Sequence, residues 1–116
     1  MKAPTWFSSR IRYAVIAESH GLQSYMDSVR LFRSTDFDSA FSRVLEIGLS
    51  DQKEYLNADG ERIAWRLVSI ISLDLLSPQL VDGQEVYSEP VEVEDGTVIS
   101  FDTVLNPALS SPTQTI

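Results

Sequence analysis

Hydrophobic and polar positions alternate along the first part of the chain. In residues 6–18, WFSSRIRYAVIAE, Phe7, Ile11, Tyr13, Val15 and Ala17 share one side, and Ser8, Arg10 and Arg12 share the other until Ile16 interrupts it. Period-two alternation in a β-branched and aromatic stretch predicts a strand. Ser19-His20-Gly21 supplies a turn. Residues 23–34 predict a second strand, with Tyr25, Val29 and Leu31 on one face and Met26, Arg30 and Phe32 on the other. So short a connection makes the two an antiparallel hairpin.

The period then changes. Phe37, Ala40, Phe41, Val44, Leu45 and Gly48 recur at helical spacing, which predicts a helix over 36–48 packing through Phe37, Phe41, Val44 and Leu45. Thr35 stands at the expected N-cap, with Asp38 three residues on as an acidic capping-box partner and Asp36 in the first turn. Gly48 is the expected stop, and Ser50 starts a further helical turn over 51–55. Asn57-Ala58-Asp59-Gly60 is a turn, and 61–75 is a long strand. Its Ile63, Trp65, Leu67, Ile71 and Leu73 share a face broken by Ser69, while the opposite face turns apolar at Val68 and Ile70. Asp82-Gly83 is another turn, followed by a short strand at 85–89. Residues 91–101 carry a hairpin signal around Asp95-Gly96, in which Val93 faces Val98 and Val91 faces Ser100.

These elements predict an α+β fold: an antiparallel sheet of about four strands in the order β-β-α-β-β, plus a C-terminal hairpin, with one helix on one face. Residues 1–105 form the single domain, and the Pro/Ser/Thr-rich 106–116 form a flexible tail dispensable for folding. One helix covers only part of such a sheet, so the uncovered face is where a homodimer or another partner is expected. At 116 residues the chain is long enough for one core. No cysteine is present, which excludes disulfides and thiolate metal sites, and no cofactor is expected. No apolar run approaches a membrane span or a signal-peptide core.

Charge changes this picture. All nine Lys and Arg lie at or before Arg66, balanced there by nine acids; the remaining eight acids, Asp74, Asp82, Glu85, Glu89, Glu92, Glu94, Asp95 and Asp102, carry the whole net charge of −8. Nucleic acids and anionic membranes need clustered cations and are excluded as partners. The acidic half reads first as a solubilising surface, and in the alternative as a docking surface for a basic protein.

Motifs for chemistry are sparse. No Gly-rich phosphate loop, nucleophile elbow or zinc-binding His-Glu pattern occurs. His20 is the only imidazole and reads as a turn residue rather than a base. Asn57, Asp59 and Glu61 alternate like calcium ligands but lack the later ligands of an EF-hand, so a turn is the better account. Asp36 and Asp38 fit helix capping better than an acid–base pair. Tyr55, Asn57 and Trp65 flank one turn, and Tyr87 and Glu85 lie on the short strand expected beside Trp65. That arrangement would line a pocket with Trp65 and Tyr87 and bring Arg66 or Arg62 to Glu85 or Glu89, or else be core-edge packing with a cross-strand ion pair.

Several segments carry a resemblance. Trp6 opening a strand, Thr35-Asp36-Phe37-Asp38-Ser39-Ala40-Phe41, Gly48, Glu54 to Glu61 leading into Ala64-Trp65-Arg66-Leu67-Val68, and Asp82 to Ser88 run in order. Over roughly residues 6–90 the chain resembles the bacterial domain-of-unknown-function family 4288, with Tyr-x-Asn-x-x-Gly-Glu and Glu-Val-Tyr-Ser as the specific parts. The resemblance supplies no activity, cofactor or catalytic residue. It implies a stand-alone bacterial, cytoplasmic protein and directs attention to Tyr55, Asn57, Gly60, Trp65, Glu85 and Tyr87.

The functional expectation is a non-enzymatic interaction domain, of immunity or regulatory type, that neutralises a basic partner protein. Its candidate surface comprises Tyr55, Asn57, Trp65, Arg66, Glu85, Tyr87, Glu92 and Glu94. A small-molecule binding module using the Trp65/Tyr87 region is the alternative.

Overall fold

A computed structural model describes residues 3–113. Strands β1 (Thr5–Ala17) and β2 (Gly21–Ser34) form the expected hairpin, with Gly21 at φ 80° in the turn where a side chain would be strained. Helix α1 (Phe37–Ser50) follows, then β3 (Lys53–Leu56) and β4 (Arg62–Leu75). The strands form one antiparallel sheet in the order β2-β1-β4-β3. The α+β class and the β-β-α-β-β order stand. The strand that completes the four is, however, β3 at 53–56, which replaces the helical turn expected at 51–55, and 85–89 is not a strand.

Residues directly opposite in a sheet share a face. Phe7, Ser9, Ile11 and Tyr13 of β1, Phe32 of β2, and Ile63, Trp65, Leu67, Ile70 and Leu73 of β4 therefore look toward α1. There Phe7, Ile11, Tyr13, Phe32, Ala40 and Val44 make the buried core, with Ile47, Trp65, Leu67, Ile70 and Leu73 packed against it. The face assignment within β4 differs from regular alternation because the strand bulges twice. Ile71 is extra between the pairs Arg10–Ser72 and Ile11–Ile70, and Val68 is extra between Arg12–Ser69 and Tyr13–Leu67. Each bulge shifts the alternation by one residue, so Ile70 rather than Ile71 reaches the core, and Val68 and Ile71 are exposed.

The helix also differs in detail. Its N-cap is Asp36, whose carboxylate accepts from the Ser39 N–H at 2.8 Å, so Thr35 lies outside the helix. Gly48 does not end it; the helix runs to Ser50 with Asp51 as C-cap. At Gly48 the helix backbone comes so close to β4 that an added Cβ would lie 3.0 Å from a Leu67 methyl. The buried stripe is accordingly Ala40, Val44 and Gly48, while Phe37 and Phe41 are about half exposed (50 and 48 %). Phe37 keeps an edge contact to Phe7, with ring centroids 5.3 Å apart. Tyr13 donates its hydroxyl to the Gly48 carbonyl at 2.9 Å, satisfying one of the last-turn acceptors that a helix leaves open. Burial raises the Tyr13 pKa above its ordinary value.

Beyond β4 there are no further strands among the described residues. Leu76 and Ser77 extend the pairing with Trp6 through bonds of 2.9 Å, and the Asp82-Gly83 turn forms with Gly83 at φ 83°. The Asp95-Gly96 turn also forms, closed by Thr97 N–H to the Glu94 carbonyl at 3.1 Å, but its flanks do not pair as a hairpin. The tail expected at 106–116 holds a short 3-10 turn at Pro107–Leu109 and is exposed through residue 113; 114–116 lie outside the described residues.

Candidate functional site

The sheet face away from α1 carries Ser8, Arg10 and Arg12 of β1, with Leu31, Val29 and Asp27 of β2 opposite them in turn. Asp27 stands directly opposite Arg12. Arg12 reaches its carboxylate through Nε at 2.7 Å and Nη2 at 2.9 Å, and Arg10 adds Nε at 2.6 Å. Asp27 is held at about 2, well under an ordinary aspartate, first by the Arg12 hydrogen bonds and then by Arg10, against the opposing effect of partial burial.

A strap formed by residues 84–89 crosses this face. Ser8, fully buried, donates its hydroxyl to the Val86 carbonyl at 2.5 Å. Arg10 donates to the Tyr87 hydroxyl at 3.1 Å and lies 5.4 Å over its ring. The same arginine forms an ion pair with Glu89, which also accepts from Tyr87 at 3.1 Å. Hydrogen bonding to Arg10 lowers the Glu89 pKa, and bonds to Glu89, Tyr87 and Asp27 raise that of Arg10. Two arginines and two carboxylates thus compensate one another, which fastens the strap.

After Glu89 the chain leaves the sheet as an arm. Val91, Val93, Val98, Ile99, Phe101, Val104 and Leu105 are all exposed, Phe101 completely. They stand among Glu92, Glu94, Asp95 and Asp102, with no Lys or Arg in the arm. The arm's hydrogen bonds are turn bonds within itself, such as Thr97 to Glu94 and Thr103 to Ser100. A radius of gyration of 18.7 Å, against ~13 Å for a compact chain of this length, follows from a segment held off the body.

The predicted site residues fall in separate places. Trp65 and Tyr55 do meet, through Trp65 Nε1 and the Tyr55 hydroxyl at 3.2 Å, with Lys53 Nζ 4.0 Å from the Trp65 ring centre. Both lie on the helix face, because Lys53 pairs with Trp65 and Tyr55 with Ile63. Tyr87 lies on the other face, so no pocket is lined by Trp65 and Tyr87 together. Asn57 organises its turn: its side-chain oxygen accepts from the N–H groups of Asp59 and Glu61 at 2.9 and 3.0 Å. Arg62 and Arg66 do not reach Glu85 or Glu89. The strand beside them is β3, and Glu54 takes both, at 2.7 and 3.5 Å; the bond to Arg62 above all lowers the Glu54 pKa. Glu85 is exposed in the strap, and Glu92 and Glu94 are exposed in the arm. Sequence reasoning passed over Arg10, Arg12 and Asp27 as a set; the available signal was two arginines two apart on one strand and an acid on its hairpin partner.

At the far end of the hairpin, Ser19, His20 and Glu61 cluster in an open concavity of about 630 Å³. His20 Nδ1 lies 2.8 Å from Glu61 and 3.3 Å from Ser19 Oγ, while Ser19 donates its hydroxyl to Glu61 at 2.5 Å. A serine triad needs the serine on one ring nitrogen and the acid on the other. Here both neighbours meet Nδ1 and the hydroxyl is committed to the carboxylate. The cluster ties the hairpin end to the start of β4, and the Ser19 hydrogen bond, with His20 after it, lowers the Glu61 pKa. Among the described residues no group of three or more His, Asp or Glu is placed to hold a metal, and no helix is long and apolar enough to cross a membrane.

In comparison with known proteins, the family described as Domain of unknown function (DUF4288) matches residues 6–88. No curated protein and no solved structure matches the chain.

Proposed function

The chain belongs to the DUF4288 family, and we propose that it acts in the bacterial cytoplasm as a non-catalytic interaction module that holds out its acidic arm, residues 90–105, to a basic protein surface. The observation that carries this reading is the arm itself: seven large apolar side chains stand exposed in a segment whose only charges are acidic. A purely solubilising tail needs the charges alone; exposed apolar residues interleaved with one sign of charge suit a partner that buries the first and neutralises the second. The arm lies beyond the matched residues 6–88, so the family core supplies the platform and the strap fixes the arm's root. The Ser19–His20–Glu61 arrangement supports the non-catalytic part of the reading.

The test begins with affinity capture and identification of the bound protein, followed by association rates at low and high salt. Steering by the arm makes association fast at low salt and much slower as the screening length shrinks to ~3 Å near 1 M salt. Charge reversal at Glu92 and Glu94 is expected to slow low-salt association several-fold with folding intact, because exposed charges contribute little to stability. Rates that do not change with salt or with the reversal would refute docking and leave the acids as a solubilising surface.

A further inference from the structure

The sheet has an open edge that fits the arm. β2 is 14 residues long and lies at the end of the strand order, so its outer row of backbone groups has no strand beside it. Edges of that length are ordinarily blunted by proline, bulges or a covering segment. Between Gly21 and Ser34 there is no proline, and the single irregularity is an extra residue, Gln23, near the turn. Val29 and Leu31 are nearly half exposed on the strap face (46 and 45 %), and Arg30 between them points to the helix face, where it meets Asp51 and Ser28. The other edge offers less: β3, which ends the order there, has only four residues, the Gln52 side chain takes the Leu67 N–H, and the bulges at Val68 and Ile71 kink β4 beyond it.

The arm supplies the matching strand. Val91-Glu92-Val93-Glu94 alternates, and Pro90 before it suits the first position of an added edge strand, where no N–H is required. Laid antiparallel along β2, Val91 falls opposite Leu31, Glu92 opposite Arg30 and Val93 opposite Val29. That register places two apolar pairs on one face and an opposite-charge pair on the other. A chain that carries both an open edge and its complement, yet leaves them apart, satisfies both by symmetric exchange with a second copy.

We propose that two copies of the chain exchange arms, residues 91–94 of each adding a strand to β2 of the other with Glu92 opposite Arg30. The proposal rests on the arm being the binding element and identifies one cation it takes, Arg30 of β2, beside its present partner Asp51. It also gives a chain of net charge −8 a way to self-associate, since the contact joins its acidic half to the neutral half that holds every Lys and Arg.

Sedimentation equilibrium of the full chain across micromolar to sub-millimolar concentration is expected to show a mass of twice 13.0 kDa at the upper end. Glu92→Lys and Arg30→Glu are each expected to weaken the dimer at least about tenfold, because every change acts at two symmetry-related sites, and the double variant is expected to recover most of the loss. Val93→Lys, at a position 75 % exposed in the single chain, gives the same weakening without touching the fold. A monomer at every concentration overturns the proposal, as does a dimer that survives removal of 90–116. A monomer in which amides 91–94 exchange slowly means the arm pairs with its own edge, and also overturns it. In either monomeric case the salt-dependent capture experiment can still succeed, so failure of the exchange and failure of the interaction reading are told apart.

Discussion

Replacing Asp27 by Asn removes the charge that Arg10 and Arg12 share. A carboxyl held at about 2 in the folded chain, against an ordinary value of 3.8, contributes about 2 kcal/mol at neutral pH. Asparagine keeps one acceptor oxygen, and Arg10 keeps Glu89 and Tyr87, so the expected loss at pH 7 is about 1–2 kcal/mol. The pH dependence distinguishes this from a packing defect. Because the folded value lies below the unfolded one, the stabilisation is complete above about pH 5 and is lost as pH falls toward 2. Working the linkage through, about a third of it remains at pH 2.5. Urea unfolding of wild type and Asp27→Asn from pH 7 to pH 2.5 measures the difference, since the carboxyls outside this network titrate alike in both proteins, and Glu89, which shares Arg10 with Asp27, is the one coupled group. A gap below about 0.5 kcal/mol at pH 7, or one that stays constant on acidification, would refute the assignment of Asp27 as the charge that organises this face.

Three further substitutions probe the core and the helix. Tyr13→Phe leaves the buried Gly48 carbonyl without its partner and is expected to cost about 1–3 kcal/mol in denaturant melts, with no change in far-ultraviolet dichroism. Ile11→Ala, at a fully buried position, is expected to cost about 2–5 kcal/mol, whereas Phe41→Ala, half exposed, should stay below about 2; equal losses would contradict the burial pattern. Asp36→Ala removes the N-cap acceptor and is expected to cost about 1 kcal/mol, while Thr35→Ala should be silent in the same melts.

The hairpin, the helix and the turn at Asn57 were legible because each is set by local chemistry: alternation in β1, the 3.6 period from Phe37 to Gly48, and the Asn-x-x-Gly turn. What escaped depends on one-residue irregularities. Without Gln23 as an extra residue, the β1–β2 turn would place Arg12 opposite Met26; with it, Arg12 meets Asp27, and the charge network exists. Likewise Val68 and Ile71 change which β4 residues face the helix, and no periodicity announces an inserted residue. β3 has four residues, too few to display a period. The 85–89 and 91–101 segments have the composition of strands, but strand propensity is realised only where a neighbour offers a ladder. The strap lies across the sheet instead of within it, and the arm has no neighbour in the single chain. The helix stripe was found in the right place yet tilted: Gly48 lets the helix backbone approach Leu67 closely, which seats Ala40 and Val44 in the core and turns Phe41 outward.

The two bulges of β4 also govern how the chain tolerates changes in length. Everywhere else in that strand, losing one residue slides the remainder out of step with β1 and exchanges inward for outward side chains. At Val68 or Ile71 the missing residue is the one that has no partner. Excision there leaves Leu67 opposite Tyr13, Ile70 opposite Ile11 and Leu73 opposite Ser9, and converts a kinked ladder into a regular one. β4 therefore contains two positions at which a codon can be lost without rewriting the core. Sequences that share this sheet can differ in length at those points while keeping the same interior.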